Sequence, residues 1–378
     1  MKKLLVIFAA VAFIWVFAAP ASAIDWNFYG SARMATFYIS DDLGDIYVTN
    51  SGDDEDDQVQ WDLQSNSRLG ATVKGENLSG RVELALKGTN GGDIDVGTRR
   101  IYGVWDAGWG QIKVGKDYTP TNQFISGQVF DGDLGLLGVG TFYARRPGQI
   151  SLAFGGFEIA LITPGDNAPI SENDGTSLNA NGGDYDRYLP KIEAKWGMAF
   201  DTFNFTLQGG FQTVTWEDVT SQDDGDQNDV DVTSWMLGAM AGVNFGPLYI
   251  KGAVSYSQNP FTANWFVYRS ADYVSLGSDI WDGDDDVNDF NYFQSALVLG
   301  FKLSDMVTFE AGGGYTNADF DDVGVEDFNP WAVYAQAVIQ MAPGVWLIPE
   351  VGYFDADDPE GVDLPTTFYA GAKWQIDF

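Results

Sequence analysis

Along much of the chain, apolar and polar side chains alternate one by one. Residues 203–211, FNFTLQGGF, set Phe203, Phe205, Leu207 and Phe211 against Asn204, Thr206 and Gln208. The same period of two returns in residues 248–257, LYIKGAVSYS, and in FYAGAKWQIDF at the end of the chain, where Phe368, Trp374, Ile376 and Phe378 oppose Lys373, Gln375 and Asp377. Successive side chains on a strand point to opposite faces, so the pattern predicts strands with one apolar and one polar face. In residues 67–88, SRLGATVKGENLSGRVELALKG, the polar face is charged: Arg68, Thr72, Lys74, Arg81, Glu83 and Lys87 share it.

The breaks between these segments are of two kinds. Short ones fall at residues 75–80, 106–110, 155–156, 197–201, 246–247, 304–306 and 342–344. Long, acidic ones fall at 41–57, 164–186, 217–231, 259–289, 319–327 and 355–363. Between them lie sixteen predicted strands, at 26–40, 59–74, 81–89, 98–106, 110–117, 146–154, 157–164, 188–196, 202–215, 232–245, 248–258, 290–303, 306–316, 330–341, 345–354 and 366–378. An even number of antiparallel strands with short turns on one side and long loops on the other is the pattern of a transmembrane β-barrel. About sixteen strands enclose an aqueous channel, whereas about eight fill with side chains. The charged face of residues 67–88 then looks onto water inside a pore, and the apolar face onto lipid or a neighbouring subunit. A soluble sandwich or propeller would also alternate, without sorting its connections into two length classes.

Composition sharpens this reading. The chain has 378 residues, 54 acidic against 20 basic side chains, a formal charge of −34, and 15% aromatic residues. A chain so acidic carries so many aromatic groups where they face an apolar medium; nucleic acid is excluded as a partner by the sign of the charge. Lys2 and Lys3 precede an apolar run from Leu4 to Ala19, and Ala21 and Ala23 supply a small-residue cleavage pattern. Residues 1–23 are thus expected to be a secretory signal peptide, removed on export, and 24–378 the barrel domain. No cysteine is present, so no disulfide staples the fold, and no histidine, which removes Ser-His catalysis and His-held haem or zinc. No enzyme activity and no cofactor are expected. The terminal Phe378 fits an outer-membrane barrel, which commonly ends on such a strand.

Three stretches carry a family resemblance. SRLGATVKGENLSGRVELALKG is similar to the second and third strands of general Gram-negative diffusion porins. TRRIYGVWDAGWGQIKVGKDYTP (98–120) resembles their fourth and fifth strands with the exit into a long third loop, and RRPGQISLAFGGFEIALITP (145–164) their sixth and seventh. The resemblance holds from about Trp26 to Pro164 and falls to pattern level until the last strand. It implies a homotrimeric passive diffusion channel in the outer membrane, with its third loop folded into the barrel. That loop would be residues 117–144, apolar and glycine-rich with three acids, unlike the other long connections.

The candidate pore-lining residues follow. By alternation, Arg33 shares a face with Asn27, Tyr29 and Ser31, Arg68 with Asp62, Gln64 and Asn66, and Arg145 with Gln149 and Ser151. The resemblance places Arg68 and Arg99 among basic constriction residues, with Arg100 an alternative to Arg99; parity favours Arg145 over Arg146. Asp131 and Asp133 would face them across the narrowing, setting up a transverse field. The alternatives are that the arginines pair with acids in the barrel wall or a subunit interface, and that DGD is a plain turn. The acid runs at 223–231 and 282–286 lack the glycine and glutamate of a calcium-binding EF-hand loop, and read as solvated loops at the mouth that could bridge to anionic lipid, lipopolysaccharide included. They would concentrate cations there, so the expected channel for small hydrophilic solutes and ions is weakly cation-selective. A substrate-selective channel and a non-conducting structural or adhesive barrel are the alternatives.

Overall fold

The computed structural model describes residues 24–42, 55–88, 94–171, 184–220, 227–266, 280–281, 287–320, 327, 329–357 and 366–378. The expected leader at 1–23 and the acid run at 282–286 lie outside them, as does 223–226 of the other run.

Sixteen antiparallel strands form one closed barrel. In chain order they are β1 (Asp25–Asp42), β2 in two pieces (Glu55–Leu63 and Arg68–Lys74), β3 (Leu78–Gly88), β4 (Ile94–Asp106), β5 (Gln111–Lys116), β6 (Gly148–Phe154) and β7 (Phe157–Ile162). β8 again has two pieces (Asp184–Asp186 and Lys191–Ala199), followed by β9 (Phe203–Thr220), β10 (Gln227–Phe245), β11 (Leu248–Gln258) and β12 (Phe290–Lys302). β13 (Val307–Phe320), β14 (Trp331–Ala342), β15 (Val345–Asp355) and β16 (Thr366–Asp377) complete the set. Each strand pairs with its chain neighbour, and β1 pairs with β16 from Ser31↔Asp377 to Asp42↔Thr366, which removes both sheet edges. Phe378 seals the seam: its N–H donates to the Gly30 carbonyl at 3.1 Å and its carbonyl accepts from the Gly30 N–H at 2.7 Å. Its ring lies where a Cβ on residue 30 would sit, so a larger residue there would displace the ring.

The wall is inside-out relative to a soluble protein. Trp61 is 75% exposed and Phe28 66%, whereas Gln212 is 1% and Gln294 0% exposed. Polar side chains fill the interior and apolar ones coat the outside, the arrangement lipid requires. Near the short turns, Trp26, Trp109, Phe200, Phe245, Phe301 and Phe378 are exposed as an aromatic girdle.

Every predicted strand has its counterpart, but the long connections after β1 and β9 are shorter than expected. Residues 217–220 and 227–231 continue the β9–β10 ladder and are not loop, with a bulge between Trp216 and Val219 and a left-handed Asp218. Their inner face stays apolar, with Val214, Trp216, Val219, Val230 and Val232 packed around Val287. Acids on the water-facing side mask that run in the sequence. Residues 64–67 break β2, and a small sheet of Ile170–Ser171, Ile280–Trp281 and Val287–Asn288 ties the connections after β7 and β11 together.

Candidate pore constriction

The connection between β5 and β6 turns into the barrel and is fastened to its inner wall. Three wall carboxylates hold its backbone. Glu193 on β8 accepts from the N–H (3.2 Å) and hydroxyl (2.6 Å) of Thr121, Glu310 on β13 from the N–H of Gly127 (2.8 Å), and Glu350 on β15 from the N–H groups of Val129 (2.7 Å) and Phe130 (3.0 Å). The loop carries amides that would otherwise be unsatisfied in a confined space, so a carboxylate opposite each group offsets the cost of burying it. Apolar contacts supplement them: the Phe130 ring stacks on Tyr369 of β16 at 3.8 Å, and Ile125 packs on Ala253 and Val298. At its tip the Tyr292 hydroxyl donates to the Gly138 carbonyl at 2.6 Å, and Gly140 abuts Gly314 of β13 so closely that neither can carry a side chain.

The candidate residues divide into those tied to the wall and those open to the lumen. Arg33 and Lys373 both pair with Asp133, the latter at 2.7 Å, so Asp133 fastens the loop to β1 and β16. Glu83 gathers three guanidinium groups: Arg99 at 3.0 Å, Arg81 at 2.9 Å and Arg68 at 3.8 Å, while the Tyr29 hydroxyl donates to it at 2.8 Å. The choice between Arg99 and Arg100 does not arise. A register shift between Glu83 and Leu84 lets both turn inward, Arg99 to Glu83 and Arg100 to Asp117 at 2.6 Å. Arg145 lies before β6 with a left-handed backbone, so strand parity does not govern it, and Arg146 also reaches the lumen, donating to the Tyr118 hydroxyl at 2.8 Å.

A cavity of about 940 Å³ runs between loop and wall, bordered by the cationic side chains of Arg68, Lys87, Arg99, Lys116, Arg145 and Arg146. Asp131 and Asp133 are the acids on its border. DGD is a turn as well as a pore element: Asp131, Gly132 and Asp133 all have positive φ, and Asn66 donates to the Gly132 carbonyl at 2.7 Å. Sequence parity put Glu83 and Lys373 on the polar face without giving them partners, and it did not single out Glu193, Glu310 or Glu350. Their signal is a lone ionic residue at an inward position in mid-strand, in a chain whose other acids crowd the connections.

Asp131 is open to the lumen yet ringed by protein, and burial pushes its carboxyl above the ordinary aspartate value. A raised carboxyl is charged at higher pH and neutral sooner as pH falls, so the lumen becomes more positive on acidification through that titration. The folded barrel binds this proton more readily than the unfolded chain, so the same group lends stability at low pH that is lost as pH rises through its folded value. Reversal potentials recorded across a salt gradient should shift towards anions on acidification in the wild type, and less so in Asp131→Asn.

The comparisons with known proteins agree with this architecture. A family model described as Gram-negative porin matches residues 9–359, so the chain belongs to that family. The outer membrane channel DcaP of Acinetobacter baumannii superposes with a TM-score of 0.71 at 14% identity, covering 95% of this chain and 99% of that one. An anion-selective porin from Comamonas acidovorans matches with a TM-score of 0.58 at 14% identity over 94% of this chain and 100% of that one. The trimer form of OmpT, an outer membrane protein of Vibrio cholerae, gives 0.56 at 16% identity over 94% and 100%. None of the curated protein sequences matches the chain. The protein is therefore an outer-membrane diffusion channel, a sixteen-stranded porin located in the outer membrane.

Proposed function

We propose that this porin passes small hydrophilic solutes through a constriction that favours anions. The carrying observation is the charge on the cavity border: six cationic side chains, of which Arg68 and Arg99 share Glu83, against Asp131 and Asp133, with Asp133 already paired to Arg33 and Lys373. The weak cation preference expected from the acidic connections is replaced in this reading. Charges on the connections act through water and fade within about 8 Å at physiological salt. Side chains around a narrowing act at contact distance on every ion that passes. Arg33, Arg68, Arg99, Arg145, Asp131 and Asp133 form the constriction set, to which we add Arg146, Lys87 and Lys116. The anion-selective porin of Comamonas acidovorans shares the fold and supports the sign of this selectivity.

Three further features belong to the same reading. Residues 1–23 act as a leader removed on export, leaving 24–378 as the barrel. The chain assembles as a homotrimer, supported by the trimer form of the Vibrio cholerae protein on the same fold. The outer acidic connections meet lipopolysaccharide through bridging divalent cations.

Replacing Arg68 and Arg145 together by alanine tests the selectivity. The reversal potential of the double variant across a salt gradient in planar bilayers should move towards cations. An unchanged reversal potential would place the selectivity elsewhere.

A further inference from the structure

The second lumen cavity differs in character from the first. It has a volume of about 670 Å³ and lies between the inserted loop, the outer ends of β14–β16 and the connection after β11. Its border is largely apolar, with Phe130, Leu134, Leu137, Phe261, Phe266 and Phe354. Residues Asp131 and Arg145 border this cavity and the cationic one alike, so a solute passing from one to the other meets both.

Asp131 stands apart from the other acids of the lumen that have cationic partners, and Arg145 from the other arginines of the cavity border. Glu83, Asp117, Asp133, Glu158 and Glu193 all have cationic partners. Asp131 has no ion pair or side-chain hydrogen bond among the described residues, and its carboxyl is raised by burial with no cation drawing it down. Arg145 makes no ion pair or side-chain hydrogen bond among the described residues either; its guanidinium rests over the Phe266 ring, 5.7 Å from the centroid. A carboxylate and a guanidinium of opposite sign border one apolar cavity with a gap between them that neither closes.

We propose that Asp131 and Arg145 form a two-ended binding site for a short zwitterionic peptide with an apolar side chain, its ammonium at Asp131, its carboxylate at Arg145 and its apolar group in the cavity between. The inference rests on the channel reading and names a solute class for it. An unpaired charge waiting in a confined site gains most from a ligand that supplies the missing partner. Asp131 and Arg145 form no ion pair with one another, so a ligand that engages both must hold its ammonium and its carboxylate apart. An extended chain adds roughly 3.3–3.6 Å per residue, so a short peptide separates its two charged ends further than a free amino acid can. The apolar border contributes through the hydrophobic effect, which a peptide without apolar side chains forfeits.

The test compares four ligands on the detergent-solubilised barrel, by saturation-transfer NMR and by current interruptions in bilayers. They are alanyl-phenylalanyl-alanine, its N-acetylated form (an anion), its C-terminal amide (a cation) and triglycine. The zwitterion should bind about tenfold more tightly than the acetylated form and than the amide, the scale of one lost charge-assisted hydrogen bond. Triglycine should be weaker again. Asp131→Asn, which tolerates the left-handed backbone, should bring the acetylated form level with the zwitterion, and Arg145→Gln should do the same for the amide. The two variants test the two ends separately, so a folding failure in one leaves the other decisive. An acetylated form that binds the wild type as well as the zwitterion does would reduce the site to a plain anion site and overturn the proposal while leaving the anion-selective reading intact. Equal binding of the amide, or no peptide binding by a barrel that still conducts, would overturn it too.

Discussion

Truncating Glu310 and Glu350 together to alanine should raise the single-channel conductance severalfold and broaden its distribution. Glu350 accepts from two consecutive loop amides, and Glu310 from the Gly127 N–H together with the hydroxyls of Tyr249 (2.6 Å) and Tyr334 (2.7 Å) and the Gln336 side-chain amide (3.1 Å). Hydrogen bonds to a charged group contribute about 1.5–3 kcal/mol each, and three loop amides would lose their partners at once. That exceeds what a loop retained by the remaining apolar contacts can absorb without leaving the wall for part of the time, because each 1.4 kcal/mol changes a population about tenfold. The double glutamine variant retains neutral acceptors and should lie between the two. Single-channel recording distinguishes the outcomes: a conductance equal to that of the wild type would mean that the ring stack of Phe130 on Tyr369 and the Gly140–Gly314 contact hold the loop unaided.

The second large effect is on stability. Glu83 is almost wholly enclosed, its side chain 1% exposed, and three arginines converge on it. Its removal leaves those guanidinium groups facing one another across β2, β3 and β4. Breaking a buried ion pair from one side costs about 3–5 kcal/mol, and the lower end applies because Arg68 and Arg81 retain contact with lumen water. Glu83→Ala should therefore unfold at clearly lower denaturant concentration than the wild type, with Glu83→Gln intermediate, as followed by tryptophan fluorescence. The Arg68→Ala, Arg81→Ala, Glu83→Ala triple variant should recover part of the loss, because fewer like charges remain unpaired. A Glu83→Ala barrel as stable as the wild type would show that lumen water screens the cluster fully.

The difference between these residues and the ones legible in the sequence is instructive. Strand number and order follow from side-chain alternation, since period two is written into every membrane-facing strand, and the terminal aromatic is a direct sign of closure. Strand ends are less legible: 217–220 and 227–231 look like loop because acids on their water-facing side hide a buried valine row. Arginine positions could be read where they sit on regular strands, as with Arg33 and Arg68. They could not where a bulge turns Arg99 and Arg100 to one side, or where a left-handed residue interrupts parity at Arg145. Pairing was the least accessible property. Asp133 reaches Arg33 and Lys373 across 100 and 240 residues of chain, a contact that only closure of the barrel creates.

The selectivity of the constriction is the point on which the account turns. The most direct measurement is the reversal potential of the purified wild-type protein in planar bilayers across a tenfold potassium chloride gradient at neutral pH. A conducting pore whose reversal potential has the sign of chloride permeation is the predicted result. A conducting pore with the opposite sign would mean that the acidic connections outweigh the six cationic side chains on the cavity border, and would contradict the account at its centre.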